Sequence, residues 1–372
     1  MRLPTPAAPQ PARPSATISG AARLVIDITL TRRLAGLAPL ARPGDAAPEP
    51  YDPVVPDLAL AVSTVVRRCL AVQAGEDVLV IVDAGTGAIG RVLRDEAAAA
   101  GADAVLAVMD ERASDGTEPA RPIAAAMEAC DVFIAPTSRS LSHTSARKRA
   151  SDAGVRGATM PGVTAEMLAR TMAVDFDAMT ARSSAVAALL DQGTSAHVSC
   201  PRGSELTLDL TGRHGISDDG QLRASGAFGN LPCGEAFIAP PGGDGRIVAA
   251  SLAPLGLSAE PAVLTVSEGR LIAGEHGLGP EFLAWLEQYG EPARNLAELG
   301  VGTNECARLT GQMLEDEKIL GTVHIGFGAS AGIGGAVPVP IHLDVVIVDA
   351  SLEIDGTTVL DGGRYELDQT GA

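Results

Sequence analysis

The chain has 372 residues, with 46% apolar and 20% charged residues, a soluble globular balance with length enough for two domains that each bury a core. With 28 basic against 46 acidic side chains its formal charge is −18, which argues against a nucleic-acid partner, because backbone binding calls for a basic stripe. No apolar run approaches the roughly 18 residues of a membrane span, so no membrane partner is expected. The five cysteines (Cys69, Cys130, Cys200, Cys233 and Cys306) are scattered and lack a CxxC pair, which reads as reduced thiols in a cytoplasmic protein.

Residues 1–52 are rich in Pro, Ala and Arg and lack the uninterrupted apolar core of a secretory signal; they read as a flexible extension, with a short ordered piece at LVIDITL. From about Val55 the pattern becomes regular. DLALAVSTVVRRCLAV (57–72) has helical spacing and ends at Gly75. EDVLVIVDAG is a buried strand, followed by a helix (IGRVLRDEAAAAG), a strand (ADAVLAVMD), a helix (ARPIAAAMEAC) and a third strand (DVFIAP). This alternation predicts βαβ units on a parallel sheet, with ligand positions at the carboxyl ends of the strands, near Asp83 and residues 136–143. Residues 145–192 read as mostly helical.

After Gly193 the grammar changes to short strands with turn residues between them: AHVSCP, SELTLDLTG, GRIVAAS, AVLTVSEGRLIAG and HLDVVIVDASLEIDGTTVL, interrupted by one amphipathic helix at 279–290. The fold class expected is therefore α/β: an N-terminal parallel βαβ domain (53–193) plus a C-terminal α+β domain rich in antiparallel strands (194–372), the latter metal-binding.

The metal expectation comes from TVHIGFGASAGIGGAVPVPIHLDVVI (322–347). Its glycines do not keep the GxGxxG spacing of a dinucleotide fingerprint, and a strand follows them where a helix would be needed. His342 and Asp344 stand two apart, so on a strand both leave one face, with Ile341, Leu343 and Val345 on the other. His324, on the strand-like run GTVHIGF, could face them across a sheet. Imidazole beside carboxylate suits zinc, manganese, cobalt or iron; hydrogen-bonded polar residues in a barrel-like core would show the same pattern. Glu235 in LPCGEAFIAP and Glu298 in NLAELGVGTN are single acids in apolar stretches and would need a partner, a metal or an arginine. The cluster Glu315, Asp316 and Glu317 reads as a solvated face, with room for one member to turn inward.

GEAFIAP, AELGVGTN, LTGQMLEDEKILGTVHIGFG and PIHLDVVI, together with IAPTSRSLSHTSARKRA and RGATMPGVT, resemble the aminopeptidase T family of metallopeptidases over residues 55–362. The resemblance implies a cage of two divalent ions (Zn, Co or Mn) held by Glu235, Glu298, His324, His342 and Asp344, with Glu298 or Glu317 relaying a proton. The spacing from Glu317 to His324 is longer than in the family. The family's aminopeptidases carry a tyrosine shortly after the first histidine and often an acid-amide pair; this chain has GFGASAGIGG there. The same superfamily includes a 2,5-dihydroxypyridine dioxygenase that holds one Fe(II) by two histidines and an aspartate. For either, His143 and Arg147 in LSHTSAR are the expected substrate-binding residues, a histidine as acid, base or anchor and an arginine as a carboxylate clamp. The reading that follows is a metal-dependent hydrolase, an aminopeptidase acting on small peptides or amides through a metal-activated water. The alternatives are an iron(II) ring-cleaving dioxygenase or a catalytically silent peptide-binding relative. By resemblance alone a homodimer is expected.

Overall fold

Strand β1 (Asp77–Val82) carries buried side chains on both faces: Val78, Val80 and Val82 point into one apolar cluster, Leu79 and Ile81 into another. A strand covered on both sides is what the continuous run VLVIV requires. In the computed structural model, which describes residues 56–367, β1 lies inside a five-stranded parallel sheet. The extension expected over 1–52, with its ordered piece at LVIDITL, lies outside the described residues.

The first half of the chain builds this sheet. Helix α1 (Pro56–Ser63) continues as a wider turn over Thr64–Cys69. After β1 come α2 (Gly87–Ala99), β2 (Asp103–Val108), α3 (Arg121–Ala129), β3 (Val132–Ala135), α4 (Ser145–Asp152), β4 (Arg156–Thr159), α5 (Ala165–Thr171) and α6 (Phe176–Gln192). β4 is a short strand inside the stretch expected to be mostly helical. The sheet order is β2-β1-β3-β4-β8, so its last member, β8 (Phe228–Asn230), returns from beyond Gly193 to pair with β4.

The second half is antiparallel. Its strands are β5 (Ser195–Ser199), β6 (Glu205–Asp209), β7 (Ile216–Asp218), β8, β9 (Glu235–Ile238), β10 (Gly242–Leu252), β11 (Gly256–Ser267), β12 (Arg270–Glu275), β13 (Leu296–Gly302), β14 (Val323–Gly328), β15 (His342–Ile347), β16 (Ser351–Ile354), β17 (Thr357–Asp361) and β18 (Arg364–Tyr365), with α7 (Gly279–Glu287) and the single turn α8 (Met313–Asp316) among them. All but β8 join one 13-stranded sheet that curls around an apolar core, filled by Leu299, Val301, Ile325, Phe327, Leu343 and Val345 from its centre and Val186 and Leu190 from α6. The mixed fold matches expectation: parallel strands with helices first, then antiparallel strands.

Among the described residues no helix is long and apolar enough to cross a membrane. The expected solvated face in MLEDEK is wrong: Glu315, Asp316, Glu317 and Lys318 are all buried. Each finds a partner that the local sequence does not announce. Arg170 grips Glu315 with two hydrogen bonds (2.9 and 2.7 Å), and Asp316 accepts from Ser251 Oγ (2.7 Å), Thr310 N (2.7 Å) and Gly311 N (2.9 Å). Buried charges are tolerated when paired in this way.

Candidate metal centre

The centre of the antiparallel sheet is a checkerboard. On β13, β14 and β15 the residues facing away from the core are Glu298 and Gly300, His324, Gly326 and Gly328, and His342 and Asp344. The register sets Glu298 opposite Gly326, Gly326 opposite Asp344, Gly300 opposite His324 and Gly328 opposite His342. On the outer neighbour β9, Glu235 pairs with Gly302 of β13. Every ligand-type side chain thus has a glycine directly across from it. A break in register between Leu296 and Glu298 turns Glu298 to this face while Leu296 stays in the core, a use of a bulge common beside functional sites.

The result is two trios that share one residue. Glu235, Glu298 and His324 converge, as do Glu298, His342 and Asp344, with ligand atoms of each trio within 4.8 Å of one another. His324 Nε2 lies 3.2 Å from Glu298 Oε1 and 3.3 Å from Glu235 Oε2. His342 Nε2 lies 3.2 Å from Glu298 Oε2 and 3.2 Å from Asp344 Oδ1. Glu298 therefore gives one oxygen to each side. His342 Nδ1 faces the Ala329 carbonyl at 2.7 Å, which orients the ring as outer-shell partners of metal-binding histidines do.

Three observations fit this set to a pair of divalent ions. Glu235 Oε2 is buried without a hydrogen-bond partner. A Cβ placed on Gly326 would come to 2.8 Å from Asp344 Oδ1, Glu298 Cβ and His342 Nε2 alike, so the glycine keeps open the space enclosed by the second trio. Asp218, Glu235, Glu298, Glu317 and Asp344 line one cavity, and the ammonium of Lys318 is the cation bonded among them. The carboxylates outnumber the one ammonium bonded among them, a surplus that bound cations would offset. Mixed imidazole and carboxylate donors suit zinc, manganese, cobalt or iron.

Charge placement shows the same demand for cations. Burial alone would lower both histidines, but Glu298 and Glu235 outweigh it and hold His324 up at about 9, while Asp344 and Glu298 hold His342 well above the usual range. Burial works to raise Glu298, yet hydrogen bonds from both histidines keep it well below the usual carboxylate range. Burial raises Glu317 to about 7 and Asp218 to about 8, against the pull of Lys318. Lys318, fully buried, donates to Glu235 Oε1 (2.5 Å) and Glu317 Oε1 (2.6 Å); those carboxylates and Asp218 overcome desolvation and hold its pKa well above normal.

The family model described as 2,5-dihydroxypyridine 5,6-dioxygenase (NicX) matches residues 59–366. The chain belongs to this family. No curated protein matches it by sequence. Among solved structures, 2,5-dihydroxypyridine dioxygenase from Pseudomonas putida KT2440 superposes with a TM-score of 0.72 at 18% identity, over 84% of this chain and 97% of the other. Wild-type AmpT from Thermus thermophilus superposes at 0.59 with 19% identity, over 84% of this chain and 99% of the other. At these identities the likeness is one of fold. It spans both enzymes whose motifs the sequence resembles, and membership makes this chain a relative of metal-dependent enzymes.

The sequence-derived residues fall into place unequally. Glu235, Glu298, His324, His342 and Asp344 come together as the two trios. Glu317 lies beside them, its Oε1 on Lys318. His143 and Arg147 line the same cavity of about 490 Å³ from the parallel-sheet side. The His143 ring stacks on His342, centroids 5.5 Å apart, and is drawn below the usual histidine range by the protein crowded around it, then by His342 and Arg147; it keeps an open face on the cavity. Thr144 caps α4 by accepting from Arg147 N (3.2 Å), fixing the turn that carries both residues. Asp83 does not reach the cavity: it is buried and accepts from Ser138 N (2.5 Å) and Ser138 Oγ (2.8 Å), tying down the loop after β3. Residues 138–143 of that loop do line the cavity, in part, as expected of a strand's carboxyl end. Sequence reading missed Lys318 and Asp218. Only the position of Lys318 beside Glu317 hinted at the first, and nothing local distinguished the second.

Proposed function

We propose that this protein is a two-metal hydrolase of small amide or peptide substrates. The observation that carries the reading is Glu298, whose two oxygens each face a different histidine and so join two complete trios. A single-ion centre of two histidines and one aspartate would leave the unpartnered Oε2 of Glu235 and the second oxygen of Glu298 outside its donor set. Ions held by Glu235, Glu298 and His324, and by Glu298, His342 and Asp344, would supply Lewis acidity and lower the pKa of a water. With both its oxygens engaged, Glu298 is better placed to hold than to titrate. Glu317, on the cavity wall beside the trios, is the residue suited to accept a proton from the attacking water and return it to the departing amine. The cavity of about 490 Å³ has the volume of a small-molecule site.

A second reading, ring cleavage by a single iron(II), rests on family membership and on His143, which adds a second imidazole beside His342 and Asp344. Metal analysis of protein purified without chelator separates the two. About two zinc, cobalt or manganese ions per chain, with release of nitroaniline from aminoacyl-nitroanilides, supports hydrolysis. One iron per chain, with oxygen uptake on dihydroxypyridines and no nitroaniline release, overturns it.

A further inference from the structure

The cavity wall opposite the trios holds a cation without a counter-ion. Arg147 is part-buried; its Nε donates to the Ser142 carbonyl at 2.7 Å and its guanidinium lies 4.4 Å over the Phe228 ring. These two contacts lock the plane of the group. No carboxylate among the described residues forms an ion pair with it, and its two terminal nitrogens have no acceptor there. The other arginine on the cavity wall, Arg139, has a carboxylate partner in Glu111, whereas Arg147, like part-buried Arg112 and Arg213 elsewhere, bonds only to a backbone carbonyl. The two free nitrogens of a guanidinium held by its Nε form a planar fork that matches two oxygens of a carboxylate.

We infer that Arg147 is the anchor of a carboxylate carried by the substrate, so that this site takes small organic acids and discriminates against their neutral amides. A carboxylate presents two coplanar oxygens to this planar fork. Arg147 would hold one end of the ligand from α4, with the reacting group at the sheet. This rests on the cavity being the substrate site and holds whether the reaction there is hydrolysis or oxygenation.

The test is calorimetric titration of wild type, R147M and R147K, at equal metal content, with two matched pairs: alanyl-alanine against its C-terminal amide, and benzoate against benzamide. Wild type is expected to bind the acid of at least one pair at least about tenfold more tightly than its amide. R147M should bring that ratio close to one with amide binding unchanged, which also shows that the variant is folded, and R147K should fall between. An acid-to-amide ratio near one in wild type for both pairs overturns the inference, as does a ratio that survives R147M. Absence of binding by all four ligands, or tighter binding of inorganic phosphate than of either acid, also overturns it. Hydrolysis of alanyl-alanine is followed separately: an acid preference without hydrolysis keeps the anchor and removes the peptidase reading.

Discussion

Glu298 and Lys318 stand at opposite ends of the site's electrostatics. Glu298 has its oxygens divided between His324 and His342, so its replacement should disturb both trios at once. E298Q keeps the shape but offers a single oxygen and an amide nitrogen that repels cations. We expect both ions to be lost, with affinity falling by more than about 100-fold, beyond the 10- to 100-fold usual for outer-shell partners. Metal-to-protein ratios after dialysis check this; two ions per chain retained by E298Q would refute the shared-carboxylate arrangement. Lys318 has no accessible surface and bonds to two carboxylates, with Asp218 Oδ2 at 3.9 Å. K318M would leave those acids facing one another uncompensated. Removing one partner from a buried ion network costs about 3–5 kcal/mol, so chelated K318M should melt well below chelated wild type. Added zinc or manganese should recover part of the loss by supplying the missing positive charge. Equal melting of the two chelated proteins would count against the role assigned to the lysine.

At the level of strands, the site depends on an alternation that one residue can spoil. Because side chains alternate, β14 puts Val323, Ile325 and Phe327 into the core and His324, Gly326 and Gly328 on the metal face. G326A leaves the backbone and the ligands intact but inserts a methyl group 2.8 Å from atoms of Asp344, Glu298 and His342. Overpacking of this kind costs about 1–3 kcal/mol; metal occupancy should fall much further than stability, because the methyl takes the space enclosed by the second trio. Calorimetric melting alongside elemental analysis tests this, and a G326A protein with full metal content would disprove it. The sheet also shows what was legible beforehand. His342-x-Asp344 could be read from period two alone, and the βαβ half from helices and strands of ordinary length. β13 was hidden, because NLAELGVGTN shows only an apolar, glycine-containing stretch with a single acid and becomes a fully buried strand only when flanked by β9 and β14. Three-residue β8 carries too little pattern to reveal that it crosses back to the parallel sheet. MLEDEK looked solvated because its partners, Arg170 and Ser251, come from distant elements. Those gaps are tertiary: the ligand residues were visible, while the charges that balance them were not.

Across the whole molecule, the same groups tie stability to pH in a direction opposite to that of an ordinary acidic protein. With metal removed by chelation, His324 is held up at about 9 and His342 well above its usual range, so in the folded state both keep protons that the unfolded chain releases near 6.5. Asp218, raised to about 8, and Glu317, raised to about 7, likewise hold protons that an unfolded carboxylate gives up near 4. A group whose folded pKa lies above its unfolded one stabilises fully below the unfolded value and ceases to do so as pH rises through the folded value. All four therefore act in one direction, and from about pH 6.5, above the range where the opposing His143 titrates, the chelated protein should lose stability as pH rises through about 9. Two groups work the other way: Glu298, held low, loses its contribution as pH falls on the acid side, and His143, lowered to about 4, adds stability as pH rises from about 4 to 6.5. Divalent ions supply the positive charge that these protons provide, so the loaded protein should show a much flatter profile over the same range and should release protons as it takes up metal. Denaturant unfolding at pH 6, 7.5 and 9, with and without zinc, measures both. A chelated protein whose stability is level or rises between pH 6 and 9 would mean that the trios do not hold protons in place of metal, and the two-ion reading would lose its electrostatic basis.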